Sequence, residues 1–293
     1  MTRSKKFRSV IAASFATLVG AVAMAPAQAA VVIAYPGFTG ACSGGGLTCV
    51  GNTAVTGGGA LRVSSSASFV NGAGYSTTAI ALGAGATFST TFQFQITNRG
   101  GIAPADGFTF VVAAASAGLG GVGGGLGYLG VPNSVAVEFD TYNNGEVGGS
   151  NHVAVDTNGL LNGTGVSPYG VSNCGSIVGY VAGCLSNGDI WTATIDYDGT
   201  TNLLDVFVRD GGSAVQHIIS GMSINIGSLL GTSSAFVGFT SATGAGFANH
   251  DILNWSLAND RSLGNPNVPE PGSLALVGAG LLGAAWARRR RVR

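Results

Sequence analysis

Two carboxylates and a histidine near the middle of the chain have the types and spacing of ligands for a metal cation. Glu138 and Asp140 stand two positions apart in the apolar run from Ser134 to Thr141, and His152 follows after a short polar stretch. Side chains two positions apart in a strand lie on one face, about 7 Å from each other. The two carboxylates would therefore share a face. Carboxylates are costly to bury unpaired, but with imidazole they make good cation ligands.

The polar pattern continues past the end of this run. The same alternation puts Tyr142 and Asn144 on the carboxylate side, which adds an amide oxygen to the possible ligands. The alternative is a solvated strand face whose carboxylates stand in water.

Asp106 and a glycine-rich segment are two further candidates. An aspartate directly before an apolar run, here Gly107 to Ala113, is usually a turn residue. The segment Gly118 to Gly127 contains G-x-G-x-x-G, but no helix pattern follows it, which excludes a dinucleotide fold. Such a loop either offers backbone N–H groups to a ligand or is a flexible surface loop.

Short strands must position these residues. Alternating apolar runs recur between glycine-rich turns, and no helical periodicity of useful length interrupts them. This pattern predicts one antiparallel β-sandwich or barrel over about 31 to 262. The predicted strands are Ala60 to Ser65, Thr87 to Ile96, Gly107 to Ala113, Ser134 to Thr141, Val153 to Asp156, Trp191 to Tyr197, Leu203 to Arg209, Ala235 to Thr240 and Ile252 to Leu257.

The charge distribution excludes several functions. The chain has 13 basic and 13 acidic residues, but residues 31 to 260 contain three arginines, no lysine and twelve carboxylates, a net charge of about −9 with histidine neutral. A basic surface for nucleic acid is therefore missing. Without lysine in this body, Schiff-base and P-loop chemistry are excluded too.

The N-terminal basic cluster predicts export. Residues 1 to 29 combine a basic start, an apolar stretch from Val10 to Met24 and small residues ending in Ala-x-Ala, as in a signal peptide read by the Sec machinery. The alternative, a membrane helix, is disfavoured because the apolar stretch is short.

The C-terminal segment, 268 to 293, contains Pro-Glu-Pro at 269 to 271, an apolar run from Gly272 to Ala287 and an arginine tail. An apolar run of this length just spans a bilayer, with the arginines on the cytoplasmic side. The segment resembles the PEP-CTERM sorting signal of Gram-negative bacteria. That resemblance implies transient membrane anchoring, recognition by an exosortase, and delivery to the cell surface or the extracellular matrix.

Four cysteines fall into two local pairs. In an oxidising compartment the spacing favours the disulfides Cys42–Cys49 and Cys174–Cys184. A zinc site built from all four is the alternative, although neither pair has the short spacing of zinc ligands.

Several of these segments together resemble the legume-type (L-type) lectins. The similarity implies a concanavalin-like jelly-roll β-sandwich and a carbohydrate-binding protein that is not an enzyme. The segments that carry it, in family order, are Ala105 to Phe108, Gly123 to Gly127, Val135 to Asn144, His152 to Asp156, Val237 to Gly244 and His250 to Ser256.

The resemblance implies two cations. Glu138, Asp140 and His152 match the ligands of a manganese-type transition metal, and Asp140, the Tyr142 carbonyl and Asn144 match those of calcium. Family members carry one more aspartate shortly before the histidine. This chain lacks that aspartate, and Glu146 is the candidate to replace it.

The resemblance also implies the sugar contacts, beginning with Asp106, whose preceding peptide bond is cis in the family. Gly124, or Gly125 if the loop register differs, matches the backbone N–H donor. Asn144 matches the side-chain donor, and Tyr142 a face for the apolar side of the sugar. The loop 244 to 249, beginning Gly244, Ala245 and Gly246, matches the variable specificity loop.

Two other functions stay open. Laminarinase-like glycoside hydrolases share the fold and use E-x-D-x-E, whereas here the last position is Tyr142. The other is a surface or matrix structural protein with a degenerate site, and the missing aspartate favours it. His217 and His250 are predicted to be structural. We therefore predict an exported lectin for a sugar or exopolysaccharide.

Overall fold

The computed structural model describes residues 31–146, 148–168, 174, 182–260 and 263. The predicted signal peptide and sorting segment lie outside the described residues. Within the described part, no helix has the length and apolar character needed to cross a membrane.

The described residues form sixteen strands, one short α-helix and a 3₁₀ turn at Gly123–Gly125. They are β1 (Val31–Tyr35), β2 (Leu47–Gly51), β3 (Ala54–Val55), β4 (Leu61–Ser64), β5 (Asn71–Ser76), β6 (Ile80–Ala81), β7 (Phe88–Gly101), β8 (Gly107–Ala113), β9 (Ser134–Asp140), β10 (His152–Thr157), β11 (Leu160–Pro168), β12 (Trp191–Asp198), β13 (Leu203–Asp210), β14 (Gln216–Ser223), α1 (Ile226–Leu230), β15 (Ser234–Ala242) and β16 (Gly246–Ala258).

The strands form two antiparallel sheets. The front sheet has the order β11-β10-β9-β8-β15-β5-β2, with β6 added at β15. The back sheet has the order β14-β13-β12-β7-β16-β4-β3, with β1 added at β16. This arrangement confirms the predicted all-β jelly-roll sandwich, and the short α1 does not change the class.

The core between the sheets follows from the alternation in the strands. In β9, Val135, Val137 and Phe139 point into it and are at most 2% exposed. Aromatic rings from both sheets meet there, such as Phe92 of β7 with Phe239 of β15, whose centroids are 5.0 Å apart. Burial of large aromatic surfaces is a main source of stability for such a domain.

A second, smaller apolar cluster covers the outer face of the front sheet. It joins Tyr75 of β5, Val111 of β8 and Ala136 of β9 to Tyr128 and Val131 in the chain that follows the glycine-rich segment. Residues 125 to 127, at the end of the glycine-rich segment, are buried next to this cluster, whereas residues 118 to 124 are half-buried or exposed.

Strand β5 was not predicted, since its glycines hide the alternating pattern. The backbone requires them: a Cβ at Gly72 would collide with the Val63 carbonyl, and one at Gly238 of the neighbouring β15 with the Gly74 carbonyl. Glycine in a strand interior marks such close backbone approach.

Both predicted disulfides are present, Cys42–Cys49 and Cys174–Cys184, with Cα–Cα distances of 5.4 and 5.6 Å. The zinc alternative is therefore wrong, because each sulfur is bonded to its partner and no described cysteine is free.

Candidate functional site

Strand pairing brings the predicted metal ligands together. In the front sheet His152 of β10 lies opposite Asp140 of β9, and Ala154 lies opposite Glu138. One ligand atom from each of Glu138, Asp140 and His152 lies within 4.8 Å of the others. All three residues are at most 4% exposed, so the solvated-face alternative is wrong.

The ring of His152 is oriented for a cation. Its Nδ1 lies 2.9 Å from the Gly149 carbonyl, which only accepts, so Nδ1 carries the proton. Its Nε2 then faces Oε1 of Glu138 at 3.1 Å. A histidine that donates from one nitrogen to a carbonyl presents the other to a metal. Burial acts to lower the pKa of His152, but the hydrogen bond and charge of Glu138 outweigh it and raise the pKa.

The electrostatics at Asp140 also fit a cation. Burial raises the pKa of Asp140 well above its usual range, and the neighbouring Glu138 raises it further. Two buried carboxylates this close repel each other unless a proton or a cation lies between them. Hard carboxylate oxygens together with one imidazole suit a divalent cation such as calcium or manganese.

Asp106 lies directly before β8, and its peptide bond with Ala105 is cis. Its carbonyl accepts hydrogen bonds from the Thr141 backbone N–H at 2.9 Å and from the Thr141 hydroxyl at 3.0 Å. These bonds tie Asp106 to the residue that follows Asp140. The sugar-site candidate and the cation-site candidate therefore share one end of the front sheet.

The Asp106 carboxylate is buried with an unmet acceptor. The residue is 3% exposed, and Oδ2 has no hydrogen-bond partner among the described residues. Burial raises the pKa of Asp106 to about 7, and the negative charge of Glu146 contributes to that increase. The Gly244 backbone N–H has the opposite effect and lowers the pKa of Asp106. A buried acceptor without a partner indicates a donor from a ligand or an ordered water.

The glycine-rich segment meets both Asp106 and Asn144. A Cβ at Gly123 would lie 4.0 Å from Asp106 Oδ2, and one at Gly124 would collide with the Asn144 side chain. The N–H of Gly125 instead donates to the Val122 carbonyl, 3.1 Å away. Gly124 is thus the glycine placed beside Asn144.

The remaining candidates take different places around this group. Glu146 accepts a hydrogen bond from the Asn144 backbone N–H at 3.0 Å and does not join the three-residue metal group. Tyr142 is half-buried, and its backbone N–H donates to Asp140 Oδ1 at 2.6 Å. Gly244 and Gly246 are buried, and Ala245 between them is exposed.

A cavity of about 710 Å³ opens at this end of the sheet. Its polar wall holds the metal group, and its apolar wall includes Leu129 and Leu160. The complete lining is Gly124, Leu129, Glu138, Asp140, Asn144, Gly145, Glu146, His152, Leu160, Leu161 and Gly163.

Two buried hydroxyls of β15 hold the loops on either side, and sequence reasoning did not find them. Thr240 donates to the Leu126 carbonyl of the glycine-rich segment at 2.9 Å. Ser241 donates to the Gly107 carbonyl, next to Asp106, at 2.7 Å. Because neighbouring strand residues point to opposite faces, Thr240 and Ser241 make these two hydrogen bonds on opposite faces of the front sheet.

Asn151 was also missed. Its side chain accepts from the Leu185 N–H at 2.9 Å and donates to the Gly183 carbonyl at 3.1 Å. Those two residues flank Cys184, so the second disulfide anchors the chain directly before His152. The sequence does not indicate this role for Asn151, because its hydrogen-bond partners lie more than thirty residues further along the chain.

His250 ends a buried chain of hydroxyls. Ser241 donates its one hydroxyl proton to the Gly107 carbonyl, so its oxygen accepts from Ser64 at 2.7 Å. Ser64 has then used its own proton, so His250 Nδ1 donates to Ser64 at 2.9 Å. The other nitrogen, Nε2, is buried without a partner among the described residues. The predicted structural role of His250 is consistent with this network.

We expect His250 to make the stability depend on pH. Burial lowers the pKa of His250 to about 3, so between pH 6.5 and 3 the unfolded chain binds a proton that the folded chain does not. Stability should therefore fall as pH falls, by about 1.4 kcal/mol per pH unit from this group. Urea unfolding measures the free energy of unfolding at pH 7.5 and at pH 5. Its decrease between these two pH values should be about 2 kcal/mol smaller in His250→Gln than in wild type.

The matched control is His217→Gln, on the exposed face of β14. Equal losses in the wild type and in His250→Gln would contradict the assignment of the pH dependence to His250.

Comparison with known proteins relates these features to two families. A family model described as the legume lectin domain matches residues 32–270, and one described as the PEP-CTERM protein-sorting motif matches residues 267–291. A lectin of Pisum sativum is 31% identical over 192 residues, which cover 60% of this chain and 63% of that protein. The chain thus spans less than two thirds of the length of this curated relative.

Solved structures share the fold. The lectin from Bauhinia forficata in complex with GalNAc superposes with a TM-score of 0.64 at 22% identity, covering 79% of this chain and 98% of that one. Lectin I-B4 from Griffonia simplicifolia in its metal-free form superposes with a TM-score of 0.64 at 22% identity, covering 77% and 97%.

Proposed function

The chain belongs to the legume lectin family, and on that premise we propose that it is an exported lectin whose sugar site lies between Asp106, Gly124 and Asn144. The observation that carries the proposal is the buried, unmet acceptor of Asp106, Oδ2. A sugar hydroxyl would donate to it in a charge-assisted hydrogen bond, which is stronger than one between neutral groups.

The neighbours of Asp106 would complete the recognition of that hydroxyl group. Asn144 is exposed beside Gly124, so its amide and the glycine N–H would donate to sugar oxygens. Tyr142 would offer its ring to the apolar side of the sugar. Gly244, Ala245 and Gly246 form the opposite rim, and their shape would select among sugars.

A cation would support the site. Glu138, Asp140 and His152 would hold it, with the Tyr142 carbonyl and Asn144 as further oxygen ligands for calcium. When bound, it would neutralise the buried carboxylates and fix the chain from Asp140 to Asn144. Because the Asp106 carbonyl is hydrogen-bonded to Thr141, that segment also positions Asp106.

We expect Gly124→Ala to weaken carbohydrate binding about tenfold, which is about 1.4 kcal/mol. The new Cβ would displace the Asn144 side chain. Gly124 does not have a left-handed backbone, so stability should be unchanged. Isothermal titration gives the affinity, and Gly212→Ala, whose Cβ would meet only open space, is the control. Unchanged affinity in Gly124→Ala would contradict the placement of this loop.

The overall proposal is tested on a glycan array with the purified protein, with and without EDTA. Binding that EDTA removes and calcium restores is the expected outcome. Absence of binding under all conditions would favour the second candidate, a structural protein of the cell surface or matrix. The observation behind that candidate is that Glu146, which would have to replace the missing aspartate, accepts a hydrogen bond from the Asn144 backbone N–H and lies outside the group of Glu138, Asp140 and His152.

Binding is proposed in preference to hydrolysis. The family is one of lectin domains, and Tyr142 stands where laminarinase-like enzymes carry a second glutamate. Incubation with a panel of labelled β-glucans should release no product. If the wild type released labelled product and Glu138→Gln abolished that release, the protein would be a hydrolase instead.

The sorting motif supports export and surface sorting, so the proposed activity would lie outside the inner membrane of a Gram-negative cell. Exosortase would process the C-terminal segment, and the partner there would be an exopolysaccharide or another surface glycan.

A further inference from the structure

We propose that the second disulfide, Cys174–Cys184, controls cation binding at the metal group by fixing the chain directly before His152. This inference rests on the cation site of the proposed function. It adds that Ser150 and Asn151 are positioning residues for His152, and that the site reaches its full affinity only after the two thiols are oxidised.

The segment that leads to His152 is not held by its own side chains. Gly148 and Gly149 have φ values of +107° and +70°, in the region that favours glycine. A Cβ at Gly149 would have no neighbour within 4 Å among the described residues, so there is open space beside it. The Gly149 carbonyl nevertheless accepts from Nδ1 of His152 at 2.9 Å and so orients the ring. The position of this carbonyl therefore depends on the neighbouring residues of the chain.

Asn151 joins this segment to the side of the disulfide that the core holds. Its side chain accepts from the Leu185 N–H at 2.9 Å and donates to the Gly183 carbonyl at 3.1 Å, on either side of Cys184. Leu185 is fully buried in the core between the sheets. Asn151 is itself 2% exposed, so little water competes for these two hydrogen bonds.

Ser150 joins the segment to the other side of the disulfide. Its hydroxyl oxygen accepts from the Cys174 N–H at 3.1 Å. The Cα atoms of Cys174 and Cys184 are 5.6 Å apart, and both residues are buried. The bond between the sulfurs therefore connects the Ser150 contact to the part of the chain that Leu185 anchors. We call these contacts, together with those of Asn151, the disulfide clamp.

The disulfide clamp adjoins the metal group. His152 follows Asn151 directly and pairs with Asp140, and its Nε2 lies 3.1 Å from Oε1 of Glu138. Groups that orient a metal-ligating histidine contribute about ten- to a hundredfold to metal affinity. An open clamp removes the constraint on the His152 ring and leaves the ligand types unchanged. The cation affinity should therefore fall by about that factor without being abolished.

The state of the clamp depends on the compartment. When the two thiols form their bond, they lose two protons and two electrons in total. These pass by thiol–disulfide exchange to a disulfide of an oxidising partner, which is left as a dithiol. Such bonds persist outside the cytoplasm, whereas thiols are kept reduced inside it. The cation site would thus be completed after export, which the sorting motif supports.

The test is isothermal titration of calcium, and separately of manganese, into the purified protein without sugar. Cys174→Ala/Cys184→Ala should bind each ion about ten- to a hundredfold more weakly than wild type. The matched control is Cys42→Ala/Cys49→Ala, which should bind the ions as wild type does. The two disulfides span sequence separations of 10 and 7, so their loss removes a similar constraint from the unfolded chain. Thermal midpoints in EDTA report the stability of each variant apart from the ion.

Asn151→Ala tests the clamp with the disulfide intact, and it keeps the test decisive if the Cys174→Ala/Cys184→Ala variant does not fold. It should weaken the binding of both ions about tenfold. When it is added to the cysteine variant, little further affinity should be lost, because changes that act through one unit are not additive. A merely structural loss of stability would not produce this coupling.

The outcomes separate this inference from the proposed function. If wild type binds calcium, and if the Cys174→Ala/Cys184→Ala variant and Asn151→Ala bind it equally well, the control by the clamp is overturned and the lectin function stands. Equal weakening in both disulfide variants would overturn it as well, since it would reveal a general loss of stability. If the wild type binds neither ion, the cation part of the proposed function and this inference are both overturned, whereas glycan binding on the array is measured independently.

Discussion

Replacement of Asp106 by alanine should lower the affinity for carbohydrate by about ten- to a hundredfold. Hydrogen bonds to a charged group contribute about 1.5 to 3 kcal/mol, which corresponds to that range. The carboxylate is buried, and its Oδ2 is unmet by any described protein group. A ligand hydroxyl that donates to this oxygen would lose its partner in the variant, and water would not replace the charge.

The measurement is titration calorimetry with the best glycan from the array. Asp106→Asn keeps the shape and removes the charge, so it should lose about tenfold. Asp198→Ala, at the C-terminal end of β12, is the matched control and should bind as wild type does. Wild-type affinity in Asp106→Ala would place the sugar elsewhere on the molecule.

Removal of calcium should lower the thermal midpoint by about 5 to 10 °C. A ligand at a hundred times its dissociation constant adds about 2.7 kcal/mol to the free energy of unfolding. For a domain of this size each kcal/mol shifts the midpoint by about 2 to 4 °C. Differential scanning fluorimetry with EDTA, calcium and manganese measures the shift without reference to sugar binding.

Asp140→Asn should abolish that shift and reverse the order of stability without metal. The substitution removes one of two neighbouring buried negative charges and keeps the Oδ1 that accepts from Tyr142. In EDTA the variant should therefore be at least as stable as wild type, whereas with calcium it should be less stable. A calcium response equal to that of wild type would show that the ion binds outside this group.

The grouping of Glu138 with Asp140 could be predicted from the sequence because strand parity is a local property. Glu138 and Asp140 share a face in any strand, residue type and spacing added Asn144 and His152, and the resemblance assigned Asp106 to sugar contact. The pairing of β9 with β10 then brings His152 opposite Asp140. Local alternation also predicted nine strands, although β7 runs on to Gly101 and β16 begins at Gly246, well outside the predicted bounds of those two strands.

Two kinds of feature could not be predicted from the sequence: strands rich in glycine and contacts whose partner residue the sequence does not identify. Strand β5 was missed because Gly72 and Gly74 carry no side chain to reveal the period, although the backbone of Val63 requires one of them. The hydrogen bond from the Asn144 backbone N–H to the Glu146 carboxylate is a contact that the spacing of the residues does not reveal.

By itself, the sequence determined the all-β class, the acidic lysine-free body, the two local disulfides and the residue types of the metal group. Each of these depends on composition or on spacing within a few positions. Only the tertiary structure decided which glycine faces Asn144, that Asp106 keeps an unmet buried acceptor, and that His250 is neutral at the end of a hydroxyl chain. The physical reason is that these features are contacts between distant segments, whose distances and burial arise only when the two sheets pack.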